Sequence, residues 1–174
     1  MSPMIARPRI DDDLQRCVEI AQVVHDLDGY PIYLPTDLRT FLVSADAYGV
    51  WVAEVDGEVV GHVALHRRTT TAALTRAGEV LDQPVDRLGV VARLLVDPAA
   101  RRQGVGQALL EAAAGDAVVR DLWPVLDVVT DLQGAVRLYE KCGWRCVGQV
   151  TVRLGDDVSC DEYVYLGPRG PDRS

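Results

Sequence analysis

The run Leu94-Leu95-Val96-Asp97-Pro98-Ala99-Ala100-Arg101-Arg102-Gln103-Gly104-Val105-Gly106-Gln107-Ala108-Leu109-Leu110 constrains the fold more than any other part of the chain. An apolar strand, a short basic turn with two nearby glycines, and the first turns of an amphipathic helix follow one another without a gap. That order builds an anion site. The first backbone N–H groups of a helix have no partner within it, and the helix dipole adds partial positive charge at the same end. Gly104 and Gly106 withdraw side chains, so a phosphate can approach the main chain closely. Arg101 and Arg102 add permanent positive charge. Two better-known phosphate loops do not fit. The dinucleotide fingerprint needs a third glycine where Leu109 stands, and no Gly-Lys-Ser/Thr ending marks a P-loop.

Around this segment the hydrophobic periodicity sets out the other elements. Leu14, Cys17, Val18, Ala21 and Val24 recur at helical spacing, with Asp11-Asp12-Asp13 at the N-cap and first turn, which predicts a helix to about Asp26. Asp28-Gly29-Tyr30-Pro31 breaks it, and Thr36-Asp37 is expected to cap a short helix through Leu42. Gly49 to Val55 and Val59 to His66 read as strands of a hairpin turning at Asp56-Gly57. The signal weakens from Arg67 to Leu88, where Thr69 to Thr71 could prolong a strand and Leu74 to Leu81 could form a helical turn. Strands are expected over Leu88 to Val96 and Val125 to Val129, and a helix from Gly104 to about Val118. A last helix carries the stripe Leu132, Ala135, Val136, Tyr139 and Cys142, capped by Asp131 and stopped by Gly143. Val147 to Leu154 and Glu162 to Leu166 close the chain as a strand pair around Asp156-Asp157. This pattern predicts a layered α/β or α+β sheet in one domain over residues 1–166, with a disordered tail over 167–174.

Composition excludes several classes of function. A net charge of −8 argues against nucleic-acid and anionic-membrane partners. No apolar run approaches the roughly 20 residues that span a bilayer, and the N-terminus lacks the apolar core of a signal peptide, so a cytoplasmic location is the default expectation. Cys17, Cys142, Cys146 and Cys160 show neither CxxC spacing nor paired histidines, so they read as reduced thiols, and no metal site is expected.

The sequence Arg101-Arg102-Gln103-Gly104-Val105-Gly106, behind a Leu-x-Val strand end, resembles the acetyl-CoA loop of the GCN5-related N-acetyltransferase (GNAT) family. A second stretch, Ala135-Val136-Arg137-Leu138-Tyr139-Glu140-Lys141-Cys142-Gly143-Trp144, resembles that family's Ala-x-x-Leu-Tyr-x-x-x-Gly-Phe/Trp signature. The order of elements from about Ala6 to Leu166 is also the family's. The resemblance implies a GNAT-like mixed, mostly antiparallel central sheet flanked by helices, with a splayed, V-shaped cofactor slot. It implies an acetyl-CoA-dependent N-acetyltransferase that moves an acetyl group to a primary amine by direct attack through a ternary complex. The alternative is a non-catalytic acyl-CoA-binding sensor or regulatory module. By the same resemblance, the backbone of Arg101, Arg102, Gln103, Gly104, Val105 and Gly106 binds the pyrophosphate of acetyl-CoA. Leu94 and Val96 pair their main chain with the pantetheine arm, an N–H near Leu95 or Val96 polarises the thioester carbonyl, and Tyr139 is the general acid.

Two positions depart from the family pattern. Many relatives carry a glutamate where Arg93 stands and an asparagine where Leu132 stands, and the first departure leaves the general base open. Glu54, His62 and His66 on the hairpin strands are the candidates, and strand alternation puts both histidines on one face. Arg93 is expected either to recognise an acceptor carboxylate or to partner Glu54. Tyr30 and Tyr33 are expected to wall the acceptor pocket, and His25 to place favourable charge at the end of its helix. The acceptor is a small-molecule or peptide amine. Carboxylates concentrate between Asp11 and Glu58 while Arg87 to Arg102 is basic, which leans toward a cationic amine meeting an anionic cofactor. Homodimers are common in the family.

Overall fold

The computed structural model describes residues 3–32, 36–68 and 71–169. Among them the strands β1 (Ile5–Pro8), β2 (Ala47–Val55), β3 (Glu58–His66), β4 (Leu88–Val96), β5 (Trp123–Val129), β6 (Arg145–Arg153) and β7 (Ser159–Leu166) form one sheet. Its order is β1-β2-β3-β4-β5-β7-β6. The helices are α1 (Leu14–Asp28), α2 (Leu38–Leu42), α3 (Ala72–Leu81), α4 (Val105–Val119) and α5 (Gln133–Lys141). No helix among the described residues is long and apolar enough to cross a membrane. The chain divides into two compact units, Met1–Leu65 with Arg93–Ala113 and His66–Ala92 with Ala114–Ser174, so the boundary falls inside β4 and α4.

In the first unit the predicted apolar stripe of α1 buries Cys17, Ile20, Ala21 and Val24 against Leu42, Val52, Val59 and Leu95. Gly29 ends α1 in the left-handed region, at φ +71°, and returns its N–H to the His25 carbonyl at 2.8 Å. Asp11–Asp13 form a separate 3-10 turn, and Asp13 stands at the N-cap of α1 without a side-chain cap hydrogen bond. Its buried carboxylate instead accepts two N–H groups of Arg7, at 2.8 and 2.9 Å, and the Ile10 amide at 2.8 Å. Asp37 does cap α2, accepting from the Arg39 amide at 2.9 Å. The β2–β3 turn holds Asp56 at φ +53° and Gly57 at φ +79°, as a type I′ hairpin requires.

In the second unit α3 resolves the ambiguous segment. Thr71 is its N-cap, its hydroxyl accepting from the Leu74 amide at 3.2 Å, and so it does not prolong a strand; Thr69 and Thr70 lie outside the described residues. Ala73, Leu74 and Ala77 pack on a core with Leu88, Val90, Val125, Val147, Val164 and Leu166. β4 and β5 run parallel from Leu88↔Trp123 to Val90↔Val125, whereas β5–β7 and β6–β7 are antiparallel. The N-cap residue of α5 is Leu132, with no side-chain cap, and Asp131 takes the Gln133 amide at 2.9 Å through its main-chain carbonyl. The expected Asp131 cap is thus replaced by a backbone turn. Beyond β7, Gly167 donates to the Pro124 carbonyl at 2.8 Å, and the Arg169 guanidinium stacks 4.1 Å from the Trp123 ring centroid. The chain is therefore anchored through Arg169, past the expected start of the disordered tail, and residues 170–174 lie outside the described part.

Candidate active site

β4 carries an irregularity that the sequence pattern does not announce. Arg93 sits at φ +55°, a conformation that costs a non-glycine residue roughly 1–2 kcal/mol. The Arg93 carbonyl lies 2.9 Å from Nδ1 of His62, and Nε2 of His62 lies 3.1 Å from Nη1 of Arg9. The same Nη1 donates to the Leu42 carbonyl at 2.8 Å. A carbonyl only accepts and a guanidinium only donates, so His62 is neutral, protonated on Nδ1 and bare on Nε2. Burial pushes its pKa down to about 4; the bond to Arg93 opposes that, and the positive charges of Arg9 and Arg93 add to it. His62 is 0 % exposed and His66 2 % exposed, so the face they share is interior. With both ring nitrogens already engaged, His62 is poorly disposed to take a substrate proton.

Glu54 is committed elsewhere too. Its Oε2 accepts from Nε of Arg7 at 2.9 Å, and Arg7 also grips Asp13. The expected Glu54–Arg93 pair is therefore replaced by Glu54–Arg7, and the Arg93 guanidinium lies over the Phe41 ring of α2, 4.6 Å from its centroid. Tyr30 is half-buried against the α1 core, while Tyr33 lies outside the described residues. His25 is more than a terminal charge, since its Nδ1–H donates to the Pro31 carbonyl at 2.8 Å and ties down the chain after α1.

The turn between β4 and α4 is built as the sequence suggests. Asp97 opens it by accepting from the Ala99 amide at 3.0 Å ahead of a Pro98–Ala100 3-10 turn. Arg102 at φ +62° and Gly104 at φ +81° then reverse the backbone. A Cβ on Gly104 would meet nothing nearer than the Met4 methyl at 3.8 Å, so the turn is open to an incoming group. The first helical bond of α4 runs from the Ala108 amide to the Gly104 carbonyl, at 3.1 Å, leaving the amides of Val105, Gly106 and Gln107 ahead of the ladder. Arg102 and Gln103 are exposed, and Arg101 is ion-paired with Asp28 at the end of α1. Val105 and Leu95 are core residues, whereas Leu94 and Val96 are only half-buried. Amide donors at a helix N-terminus beside the exposed Arg102 fit a diphosphate. The helix is held flat on the sheet by Gly61, where a Cβ would stand 2.8 Å from Leu109 Cδ1 and 3.0 Å from Val105 Cγ1.

In the second unit Tyr139 is 8 % exposed and lies between Trp144 and Tyr165, with ring centroids 6.3 and 5.9 Å away. Tyr165 donates to Glu140 at 3.0 Å, and burial together with that carboxylate pushes its phenol above the usual range. A further pair of groups escaped the sequence reading. The β5–β7 register sets Asp127 opposite Val164 and Val129 opposite Glu162, which makes the two carboxylates diagonal neighbours on one sheet face. Burial, then the charge and hydrogen bond of Asp127, push Glu162 up to about 7, with Arg68 pulling it down. Only strand alternation hinted at this, since the partners lie on strands whose register no local pattern specifies.

The acetyltransferase (GNAT) family matches residues 10–144, and the chain belongs to this family of acetyl-CoA-dependent acyltransferases. No curated protein matches it significantly. Among solved structures, it is similar to NAA60 of Arabidopsis thaliana in complex with a bisubstrate analogue, at 22 % identity and TM-score 0.69 over 94 % of this chain and 97 % of that one. It is also similar to the ribosomal-protein-S18-alanine N-acetyltransferase of Escherichia coli, at 18 % identity and TM-score 0.67 over 98 % and 96 % of the two chains. A third, yncA of Salmonella typhimurium with its cofactor acetyl-CoA, aligns at 18 % identity and TM-score 0.68 over 98 % and 96 %. At these identities the likeness is one of fold.

Proposed function

We propose that this protein transfers the acetyl group of acetyl-CoA to a primary amine, of a peptide or a small molecule, by direct attack in a ternary complex. The observation that carries the reading is the open turn from Arg101 to Gly106, with left-handed Arg102 and Gly104 and unbonded amides leading into α4. Its backbone N–H groups hold the pyrophosphate, Arg102 adds charge, and the main chain of Leu94 and Val96 pairs with the pantetheine arm. An amide near Leu95 or Val96 donates to the acetyl oxygen as negative charge develops there. Bound acetyl-CoA supplies a thioester carbonyl, which the amine attacks as the C–S bond breaks.

Two proton transfers then fall to side chains. Tyr139 gives its phenolic proton to the departing thiolate. Glu162, brought to about 7 by burial and Asp127, takes the proton from the attacking nitrogen. It replaces Glu54 and His62, whose polar atoms are taken by Arg7, Arg9 and the Arg93 carbonyl.

Calorimetric titration with acetyl-CoA, with CoA and adenosine 3′,5′-bisphosphate as comparators, tests the reading. Micromolar binding that disappears in Gly106→Trp supports it, and no binding by folded protein refutes it. Tyr139→Phe is expected to lower kcat by about 100-fold with unchanged acetyl-CoA affinity; an unaltered kcat removes Tyr139 from the chemistry.

A further inference from the structure

We propose that His62 is a positioning residue whose neutral ring latches the left-handed kink of β4 at Arg93 and so orients the Leu94–Val96 main chain for acetyl-CoA. The inference rests on the acetyl-CoA reading of that strand and adds what holds the strand in its binding form. Four contacts close a ring within the first unit. His62 Nδ1–H meets the Arg93 carbonyl at 2.9 Å, the Arg93 guanidinium lies 4.6 Å from the Phe41 centroid, the adjacent Leu42 carbonyl takes Arg9 at 2.8 Å, and Arg9 reaches His62 Nε2 at 3.1 Å. Arg9 is itself fixed by its amide to the Val50 carbonyl at 2.9 Å. The kink at Arg93, the end of α2 and the segment after β1 are therefore secured through one imidazole.

The chemistry explains why a histidine stands there. The position needs one donor for a buried carbonyl and, on the opposite side of the same rigid side chain, one acceptor for a guanidinium. A neutral imidazole supplies both. Protonation would set a third cation between Arg9 and Arg93 and remove the acceptor. Without the donor, the Arg93 carbonyl is left unsatisfied inside the protein, and Arg93 relaxes from φ +55° toward the extended region. Straightening a left-handed residue turns the residues that follow it, here the half-buried Leu94 and Val96. Leu95, 1 % exposed in the core, resists a full register slip, so the loss loosens a binding edge without unfolding the strand.

Two amide variants separate the latch from a base. His62→Asn puts an N–H near the place of Nδ1 and keeps the bond to Arg93; His62→Gln puts its amide near Nε2 and keeps only the bond to Arg9. Calorimetry is expected to give Asn an acetyl-CoA Kd within about threefold of wild type and Gln a Kd about tenfold weaker, the size of one hydrogen bond. In turnover, the Gln change is expected in the KM for acetyl-CoA, with kcat and the pH profile retained. Equal Kd values in Asn, Gln and wild type overturn the latch while leaving the acetyl-CoA reading intact; a wild type that does not bind acetyl-CoA overturns both. Nitrogen-15 spectra of the wild-type histidines decide the matter should a variant fail to fold. A ring protonated on Nδ1 and bare on Nε2 from pH 5 to 8 supports the latch, and one that titrates near 6.5 overturns it.

Discussion

Gly61→Ala sets two known effects against each other at the point where α4 rests on β3. Replacing glycine by alanine restricts the unfolded chain and stabilises by about 0.4–1 kcal/mol where the native conformation and the space allow it. At Gly61 the space is absent. An added Cβ stands 2.8 Å from Leu109 Cδ1, 3.0 Å from Val105 Cγ1 and 3.1 Å from the Leu95 carbonyl oxygen. The leucine methyl could swing aside in an open site, but Leu109 and Val105 are 0 % and 1 % exposed, and a β-branched valine has few rotamers to use. The carbonyl is main chain and yields only if β4 moves. Overpacking of this kind costs about 1–3 kcal/mol, so the steric term wins and the variant is destabilised by about 1–2 kcal/mol.

Gly115→Ala is the internal control, since that glycine lies on the exposed side of α4 with nothing within 4 Å of a Cβ. It is expected to stabilise by about 0.5–1 kcal/mol, the ordinary helix preference of alanine. Urea unfolding gives the free energies, and a thermal scan is expected to separate the variants by about 2–4 °C per kcal/mol in a chain of this size. Calorimetry adds a functional readout. Lifting the first turn of α4 shifts the amides of Val105 to Gln107, so Gly61→Ala weakens acetyl-CoA binding while Gly115→Ala leaves it alone. A Gly61→Ala protein as stable as Gly115→Ala, with wild-type affinity, would refute the packing argument.

Glu162→Gln is expected to abolish the acid limb of kcat/KM near pH 7, and a retained limb assigns the proton transfer to another group. The same substitution has a signed effect on stability. Because burial and Asp127 raise Glu162 in the folded state, its favourable contribution is complete below the ordinary value of 4.5 and is lost as pH rises toward 7; urea midpoints of wild type therefore fall across that window relative to Glu162→Gln. Asp28→Asn frees Arg101 from its ion pair, whose side chains are 36 % and 32 % exposed, so stability changes by less than about 1 kcal/mol. Acetyl-CoA titrations at low and high salt are expected to show tighter and more salt-dependent binding in that variant, and an unchanged Kd would mean that Arg101 takes no part in the phosphate contact.

What could be read from the sequence, and what could not, divides by the distance over which each interaction acts. The strand, basic turn and helix from Leu94 to Leu110 are specified by neighbours: β4 ends at Val96 as expected, and α4 begins one residue after Gly104. The Asp56-Gly57 hairpin and the Asp37 cap are equally local, because turn conformation and capping depend on a few adjacent residues. The electrostatic partners are another matter. Arg7 and Glu54 are 47 residues apart and His62 and Arg93 are 31 apart, so their pairing needs the register of separate strands. Alternation did place His62 and His66 on one face, but it cannot tell a face that lines a cleft from one that is packed. That distinction changes the chemistry completely: the same imidazole is a base when one nitrogen meets substrate and a brace when Arg9 and Arg93 hold both. Asp127 and Glu162 make the converse case, two unremarkable strand carboxylates that become neighbours once β5 and β7 set them diagonally side by side, with Glu162 pushed up by burial and by Asp127. The departure at Arg93 then has a structural reading of its own. Where the resemblance leads one to expect a carboxylate on β4, a cation lies over Phe41, and on β7 burial and Asp127 bring the Glu162 carboxylate up to about 7. On the proposed reading, proton acceptance falls to a carboxylate on β7, while the turn from Arg101 to Gly106 binds acetyl-CoA.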